Sequence, residues 1–438
     1  MTRSAVLTAA VVLLASGSTA AVAATEDASW SVSVQATSLT QYHPAFHSSI
    51  RGPNSLDPGS RGDTTNDATL FVGYRPWAGG EIWLNGELDD GFGLSNTLGA
   101  AGFPSGEAYK VGRNHPYFRM QRWFLRQTVD LGGARETVAA DQNVMAGSHT
   151  EDRLVLTAGR FSVADIFDTN RYAHDPRADF MNWAAIDTAT FDYAADAWGY
   201  SWGGAAELWE GPWTLRGAVF DLSDVPNSKR LDATFGQFQT LAEVEHRHTL
   251  GGRPGAVRLT GFLTRGRMGH FADALRAAEL TGDPPSTAAV RTYSSRSGVS
   301  VTVEQELADG LGGFLRAGVA GSDVEAYEFT DVDRAVAAGL SSSGARWGAP
   351  DDTVGLALMA NQAGPRRLAY LAAGGLGILV GDGQLRHAGT EQIAEVYWKR
   401  PVAPWLQVTV DYQAIVNPAF NRDNGPVSVF GLRLHIQR

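Results

Sequence analysis

The sequence predicts an all-β protein, a transmembrane antiparallel β-barrel of about 16 strands with long extracellular loops. Three observations support this fold class. Apolar and polar residues alternate over segments of about ten residues, turn residues end these segments, and aromatic residues gather where they end. A period of two indicates strands, because helices repeat every 3.6 residues. A tilted strand needs about 9–11 residues to cross a bilayer, which matches the segment length.

The first residues have the order of a secretory signal peptide. Arg3 supplies a positive charge, a short apolar run follows, and small residues lead to Ala24. The apolar run is too short for a transmembrane helix, which needs about 20 residues. We therefore expect residues 1–24 to be a cleaved signal peptide, with an uncleaved anchor as the alternative. Because no linker or change in composition divides the rest, residues 25–438 are predicted to form a single outer-membrane β-barrel domain.

The composition excludes several classes of protein. The 438 residues include no cysteine, so disulfides, thiol nucleophiles and cysteine-ligated metals are excluded. A net charge of -11 argues against a nucleic-acid partner, which would favour a basic patch. The common hydrolase, zinc-protease and phosphate-loop motifs do not occur, and the neighbouring Ser148 and His149 do not by themselves supply a catalytic geometry. We expect no enzymatic activity, no cofactor and no metal.

The segment at residues 80–89 shows how the two faces of a predicted strand differ. Ile82, Leu84 and Leu88 fall on one face, and the other face carries charged and amide side chains around one tryptophan. A soluble β-sandwich would have to bury such charges, whereas the inner face of a membrane barrel meets water. The predicted strands lie near residues 30–39, 68–77, 80–89, 122–131, 152–161, 198–208, 212–221, 239–248, 255–266, 297–307, 312–322, 334–342, 352–361, 390–400, 403–413 and 427–436.

Short and long connections alternate along the chain. Tight turns join strands in pairs, and long segments such as 90–121, 162–197 and 268–296 separate the pairs. Outer-membrane barrels have short turns at one end and long loops at the other. Aromatic residues near the strand ends predict girdles at the two membrane interfaces. These are Tyr74, Trp77, Trp209, Trp213, Tyr397, Trp398 and Trp405.

The polar faces of the predicted strands supply the candidate lumen residues. Mixed charges with aromatic rings suit a polar neutral solute, whereas a ring of one sign would indicate ion selectivity. Trp83 is the main aromatic candidate, because alternation places it among carboxylates. The alternative for each residue is a structural role in cross-strand ion pairs. The candidates are Glu81, Trp83, Asn85, Glu87, Asp89, Arg122, Arg126, Glu243, Arg258, Phe314, Arg316, Glu395 and Tyr397.

One segment between predicted strands is rich in oxygen atoms that could act as ligands. Calcium binding is one interpretation, although the segment lacks the glycine and the closing glutamate of an EF-hand loop. The interpretation that we favour is a structured, hydrogen-bonded loop that turns inward. The residues of this segment are Asp165, Asp168, Asn170, Arg171, Asp175 and Arg177.

A series of short motifs follows in order along nearly the whole predicted mature chain. They are Phe92–Gly99, Ala101–Lys110, Asp165–Arg177, Phe180–Trp183, Phe191–Gly199, Arg346–Gly348, Asp351–Asp352, Tyr370–Gly377 and Phe430–His435. Together they resemble the carbohydrate-selective porins of the OprB family. The resemblance implies a sixteen-stranded barrel narrowed by loops folded into the lumen, and it places Tyr370–Gly383 in a loop near the pore mouth. The final Arg438 departs from the aromatic residue on which many such barrels end.

On this resemblance, the expected function is an outer-membrane porin for the facilitated diffusion of glucose and related sugars into the periplasm of a Gram-negative bacterium. The runner-up is a general or anion-preferring porin, because arginine supplies almost all the positive charge. A non-transporting barrel, such as an adhesin-like scaffold or an enzyme, is the third class. Expected partners are mono- or oligosaccharides, the bilayer with its lipopolysaccharide, and the barrel assembly machinery. Neither the preferred sugar nor the oligomeric state follows from one sequence.

Overall fold

The computed structural model describes residues 28–108 and 111–438, so the predicted signal peptide lies outside the described residues. In the described part, sixteen antiparallel strands form one closed barrel, in which each strand pairs with its neighbour in the chain and β1 pairs with β16. The predicted fold class and strand number are confirmed. The strands are β1 (Trp30–His43), β2 (Arg61–Tyr74), β3 (Gly80–Gly91), β4 (Arg113–Val138), β5 (Gly147–Phe161), β6 (Ser201–Glu210), β7 (Trp213–Asp221), β8 (Phe238–Leu250), β9 (Arg253–Met268), β10 (Thr292–Ala308), β11 (Leu311–Ala320), β12 (Arg334–Ser343), β13 (Thr353–Gln362), β14 (Glu391–Ala403), β15 (Leu406–Val416) and β16 (Val427–Gln437).

Some strand bounds differ from the prediction, and β4 and β2 show two different reasons. The ladder between β4 and β5 runs on to Val138 opposite Gly147, whereas the predicted β4 ended at residue 131. Most side chains in this extension are exposed, so its sequence carries no apolar period. The strand β2 ends at Tyr74 and not at residue 77, because Pro76 has no N–H group to donate to a ladder.

The connections separate into two sets, as predicted. The short turns, the start of β1 and the end of β16 lie at one end of the barrel, which is the periplasmic end in outer-membrane barrels. The other end carries the loops 44–60, 92–108 with 111–112, 162–200, 222–237, 269–291, 321–333, 363–390 and 417–426. The described part of these loops contains three α-helices: α1 (Trp183–Ile186), α2 (Phe271–Thr281) and α3 (Pro365–Ala372). None of the helices in the described part of the chain is long and apolar enough to cross a membrane.

The outer face of the barrel is apolar and carries most of the predicted girdle residues, but all of them lie near the short turns, so they mark one membrane interface and not the predicted two. Trp77, Trp213 and Trp405 are about half exposed and lie near the short turns. The girdle assignment is wrong for Trp209 and Tyr397, which point into the barrel. Their parity explains the difference, because Trp209 shares a strand face with Glu207, and Tyr397 shares one with Glu395.

The inside of the barrel is packed with loops. The loop 162–200 crosses the lumen, and the side chains of Phe167, Phe180, Trp183 and Phe191 are buried in the apolar cluster at the centre of the molecule. This cluster lies inside the barrel, between the wall and the loops, and not between two sheets. The loop-narrowed lumen is therefore confirmed.

The Trp83 ring packs closely against Gly73 of the barrel wall, so a larger residue at this position should destabilise the barrel. A Cβ atom on Gly73 would lie 2.6 Å from the ring of Trp83. We expect Gly73→Ala to lower the free energy of unfolding by about 1–3 kcal/mol, because a buried wall cannot accept the extra methyl group without moving the indole. Urea unfolding followed by tryptophan fluorescence would measure the change. The matched control is Gly204→Ala, where the nearest atom is 3.9 Å away and little change is expected. Equal midpoints for both variants would contradict the packing argument.

Candidate functional site: the barrel lumen

The loop 162–200, called here the inward loop, is pinned to opposite sides of the barrel wall. Four of its carboxylates pair with arginines on different strands. The pairs are Asp165 with Arg122 at 2.7 Å, Asp168 with Arg316 at 2.8 Å, Asp192 with Arg296 at 3.0 Å, and Asp196 with Arg160 at 2.6 Å. The strands involved are β4, β11, β10 and β5, so the loop spans the lumen and does not lie along one side of it.

Asp168 joins the two legs of the inward loop to the wall. Its carboxylate accepts hydrogen bonds from the hydroxyls of Thr188 and Thr302, both at 2.8 Å, and from the Arg316 guanidinium. Its backbone N–H donates to Glu243 at 3.0 Å. Asp168 and Arg316 are both almost fully buried. One side chain therefore fixes the start of the loop, its return near Thr188, and strands on the far side of the barrel.

The other residues of the predicted oxygen-rich segment also make hydrogen bonds within the protein. The Asn170 amide donates to the Val303 carbonyl at 3.3 Å, and the Arg171 N–H donates to Glu304 at 2.8 Å. The Asp175 carboxylate accepts from the N–H of Arg177 at 2.8 Å. Among the described residues no group of three or more His, Asp or Glu side chains is placed to hold a metal ion. The segment is thus part of the inward loop, which is the interpretation favoured above.

Besides Glu243, two more predicted lumen carboxylates hold loops. Glu395 accepts hydrogen bonds from the backbone N–H groups of Met181 and Asn182, at 2.5 Å and 3.2 Å. Glu87 lies 3.9 Å from the Arg177 guanidinium, which also pairs with Glu107 at 2.9 Å. Both carboxylates therefore position the protein's own chain.

A ladder of ion pairs runs along the inner wall from β6 to β10. Arg216 pairs with Glu207 at 3.0 Å, with Glu243 at 2.7 Å and with Glu245 at 2.8 Å. Arg258 pairs with the same Glu245 at 3.1 Å and with Glu304 at 3.0 Å. These contacts correspond to the structural alternative given above, because they brace neighbouring strands.

All thirteen predicted lumen residues point to the inside of the barrel, but few of them line open space. Glu81 and Arg126 line the larger lumen cavity described below, and Arg258 lines a smaller one beside it. Arg122 is occupied by its pair with Asp165. The remaining nine are buried: Trp83, Asn85, Glu87, Asp89, Glu243, Phe314, Arg316, Glu395 and Tyr397.

The position of Trp83, the main aromatic candidate, does not suit contact with a solute. The side chain is 0% exposed, so no solute reaches it in this conformation. Gly73 on the neighbouring strand leaves room for the ring to lie against the wall, and the indole N–H donates to Glu81 at 2.9 Å. Phe314 and Tyr397 are likewise covered, because both pack against Phe180 of the inward loop, with ring centroids 5.6 Å and 4.9 Å apart.

The periplasmic half of the lumen contains a cavity of about 900 Å³, called here the periplasmic cavity. Its lining includes four arginines and four carboxylates, together with His149, apolar side chains and Trp209. The charges therefore balance. These eight residues are Arg75, Arg126, Arg135, Arg153, Glu81, Asp130, Asp165 and Glu207.

Trp209 lies between the periplasmic cavity and the smaller cavity of about 420 Å³, and it lines both. Three guanidiniums approach its ring: Arg153 at 4.0 Å, Arg247 at 4.7 Å and Arg216 at 5.3 Å from the centroid. Its side chain is partly exposed, unlike that of Trp83. Sequence reasoning missed Trp209 as a lumen residue, although its shared face with Glu207 was a usable signal.

Several carboxyl groups of the inward loop have shifted pKa values, and Asp165 and Asp187 show the two directions. Burial acts to raise the pKa of Asp165, but the Arg122 guanidinium and the Ser162 N–H outweigh it and hold this pKa below its usual range. Burial raises the pKa of Asp187 to about 6, against a smaller opposing effect of His174. Asp165 therefore remains charged where it lines the periplasmic cavity.

A closed sixteen-stranded barrel with an apolar outer face, a polar inner face and a loop folded into the lumen defines the class of outer-membrane porins. The sequence model described as "Carbohydrate-selective porin, OprB family" matches residues 54–437. The chain belongs to this family of channels. Comparison of the sequence with curated proteins gives no match.

Solved structures show the same fold. The high-pH structure of OprB from Pseudomonas putida is 16% identical, with 94% of each chain covered and a TM-score of 0.69. The low-pH structure of the same protein is 13% identical, with 94% of this chain and 93% of that chain covered and a TM-score of 0.50. At these identities the likeness concerns the barrel architecture and not individual residues.

Proposed function

We propose that the chain lets small neutral sugars such as glucose diffuse across the outer membrane into the periplasm, and that it catalyses no reaction. In this proposal residues 1–24 direct export and are removed. The observation that carries the proposal is the balanced charge of the periplasmic cavity, with four arginines and four carboxylates. Such a lining offers donors and acceptors to hydroxyl groups without a net field that would select ions. A volume of about 900 Å³ lies in the usual range for small-molecule sites.

Trp209 supplies the apolar element that sugar recognition needs. A sugar presents C–H groups on one face of its ring and hydroxyls around the edge, and an indole matches the C–H face. The neighbouring guanidiniums of Arg153 and Arg247, at 4.0 Å and 4.7 Å from the ring centroid, provide hydrogen-bond donors beside the aromatic surface. The proposed solute contact is therefore Trp209 and not Trp83.

Channel measurements in planar bilayers test the proposal. We expect millimolar glucose to reduce the ion current, and reversal potentials in a salt gradient to show weak selectivity between anions and cations. Liposome swelling gives a matched comparison between glucose and gluconate, which are similar in size but differ by one negative charge. Faster entry of glucose is expected. Strong anion selectivity together with a current that glucose does not change would support the general porin and reject sugar selectivity.

A further inference from the structure

The outside of the barrel carries a groove of about 400 Å³ across β10–β13, near the strand ends that lead to the long loops. The cross-strand register sets its shape. Val301, Ala317, Val336 and Ala360 form one row across the four strands, in which large and small side chains alternate. Valine side chains of this surface are exposed outward, so the groove opens to lipid and lies apart from the solute pathway.

The next row towards the long loops ends in polar residues. It runs from Val299 through Val319 to Arg334 and Gln362. Arg334 is exposed, and its side chain makes no ion pair or hydrogen bond with any residue in the described part of the chain. This differs from the wall arginines such as Arg216, which contacts three carboxylates. An unpaired arginine on the lipid face costs about 2–4 kcal/mol at the membrane midplane and little near the interface, so it belongs at headgroup level.

Two more outward cations lie on the strand beside the groove. Arg265 and Arg267 lie near the loop end of β9, and Arg265 is paired in register with Ser295 of β10. The Arg265 guanidinium donates to the Ser295 hydroxyl at 3.0 Å and lies 4.7 Å from the Tyr293 ring centroid. Neither arginine forms an ion pair with a described carboxylate. The loop end of this outer face is therefore positively charged above an apolar groove.

We propose that the groove holds an acyl chain of lipid A and that Arg334 pairs with a lipid A phosphate. The long loops face the cell exterior, and the outer leaflet at that side is built from lipopolysaccharide. Lipid A joins acyl chains to a phosphorylated disaccharide, so it presents an apolar chain and a negative charge in the same order as the groove and Arg334. Phosphatidylglycerol has a similar combination of groups, but it occupies the inner leaflet, at the end of the short turns.

Native mass spectrometry of the purified full chain with added lipid A or phosphatidylglycerol tests the site. We expect lipid A to bind more strongly, and Arg334→Gln to weaken its binding about fivefold, because one cation near a charged headgroup contributes about that much. Ala360→Phe fills the groove without changing charge, and it should weaken binding as well. Arg400→Gln is the matched control, since Arg400 also points outward but lies near a short turn. It should bind lipid A as the wild type does.

Several results would overturn the proposal. Unchanged lipid A binding by Arg334→Gln would reject the proposed contact with the phosphate. Unchanged binding by Ala360→Phe would reject the groove as the site of the acyl chain. Equal binding of phosphatidylglycerol with the same dependence on Arg334 would reject lipid A as the occupant. Heat-modifiable migration on gels checks that each variant is a folded barrel. A sugar-block measurement should be unaffected, which keeps this test independent of the transport proposal.

Discussion

Replacing Asp168 by asparagine is expected to release the inward loop and to open the channel. The substitution leaves Arg316 buried without a counter-charge, and it replaces the oxygen that pairs with Arg316 and accepts from the Thr188 N–H by an amide NH2 group. Removing one partner of a buried ion pair costs about 3–5 kcal/mol. We expect a larger and noisier single-channel conductance in planar bilayers and a loss of current block by glucose. Trypsin should also cleave the loop at Arg171 or Arg177 faster than in the wild type.

The matched control for this variant is Asp309→Asn. Asp309 pairs with Arg253 at 2.7 Å in a short turn, but its side chain is 97% exposed. Exposed pairs contribute about 0–1 kcal/mol, so conductance and glucose block should stay at wild-type values. If Asp168→Asn also kept wild-type conductance, glucose block and protease resistance, the inward loop would be held by other contacts and Asp168 would not be its anchor.

Replacing Trp209 by alanine is expected to weaken glucose block more than it changes ion conductance. The indole contributes contact area and no charge, and an aromatic contact of this kind is worth about 0.5–1.5 kcal/mol. The corresponding loss of apparent affinity is roughly twofold to tenfold. Titration of the ion current with glucose measures the block, and the current without sugar gives the conductance of the same channel.

The control for the tryptophan variant is Trp77→Ala, on the outer face near a short turn. Trp77 is 52% exposed and lies outside the lumen, so the glucose titration should match that of the wild type. A proportional loss of conductance and block in Trp209→Ala would indicate a general change of pore shape. An unchanged glucose titration would mean that the solute passes without contacting the indole.

The alternation of apolar and polar residues was enough to predict the barrel, because one face of each strand meets lipid and the other faces the polar lumen. It also placed each lumen candidate on the correct side, including Glu81 and Arg126. Alternation does not show whether an inward side chain is covered. That depends on contacts between the inward loop and distant strands, such as Phe180 against Tyr397. For this reason the sequence favoured Trp83, whose ring is covered, over Trp209.

The oxygen-rich segment shows a related limit. Its composition predicted a hydrogen-bonded inward loop, and Asp168 occupies that role. The arginine partners could not be assigned, because Arg316 lies almost 150 residues further along the chain and nothing local specifies the pair. The periplasmic extension of β4 was missed for another reason. This extension lies in water, where backbone hydrogen bonds continue the ladder. Its sequence therefore lacks the apolar face by which a strand is recognised.

The seam between β1 and β16 has a consequence for how the chain folds. The seam joins residues as far apart as Thr37 and His435, which contact each other across 398 positions of sequence. Contacts between such distant residues form slowly, because the chain entropy is lost before the contacts can compensate for it. Until the seam closes, the sheet has two bare edges that invite pairing with other chains. The Arg433 side chain of β16 also donates to the carbonyls of Pro176 and Asp179 in the inward loop, so the strand at the seam holds this loop as well. Pairing of β16 with β1 therefore closes the wall with a strand that also holds the loop inside the barrel.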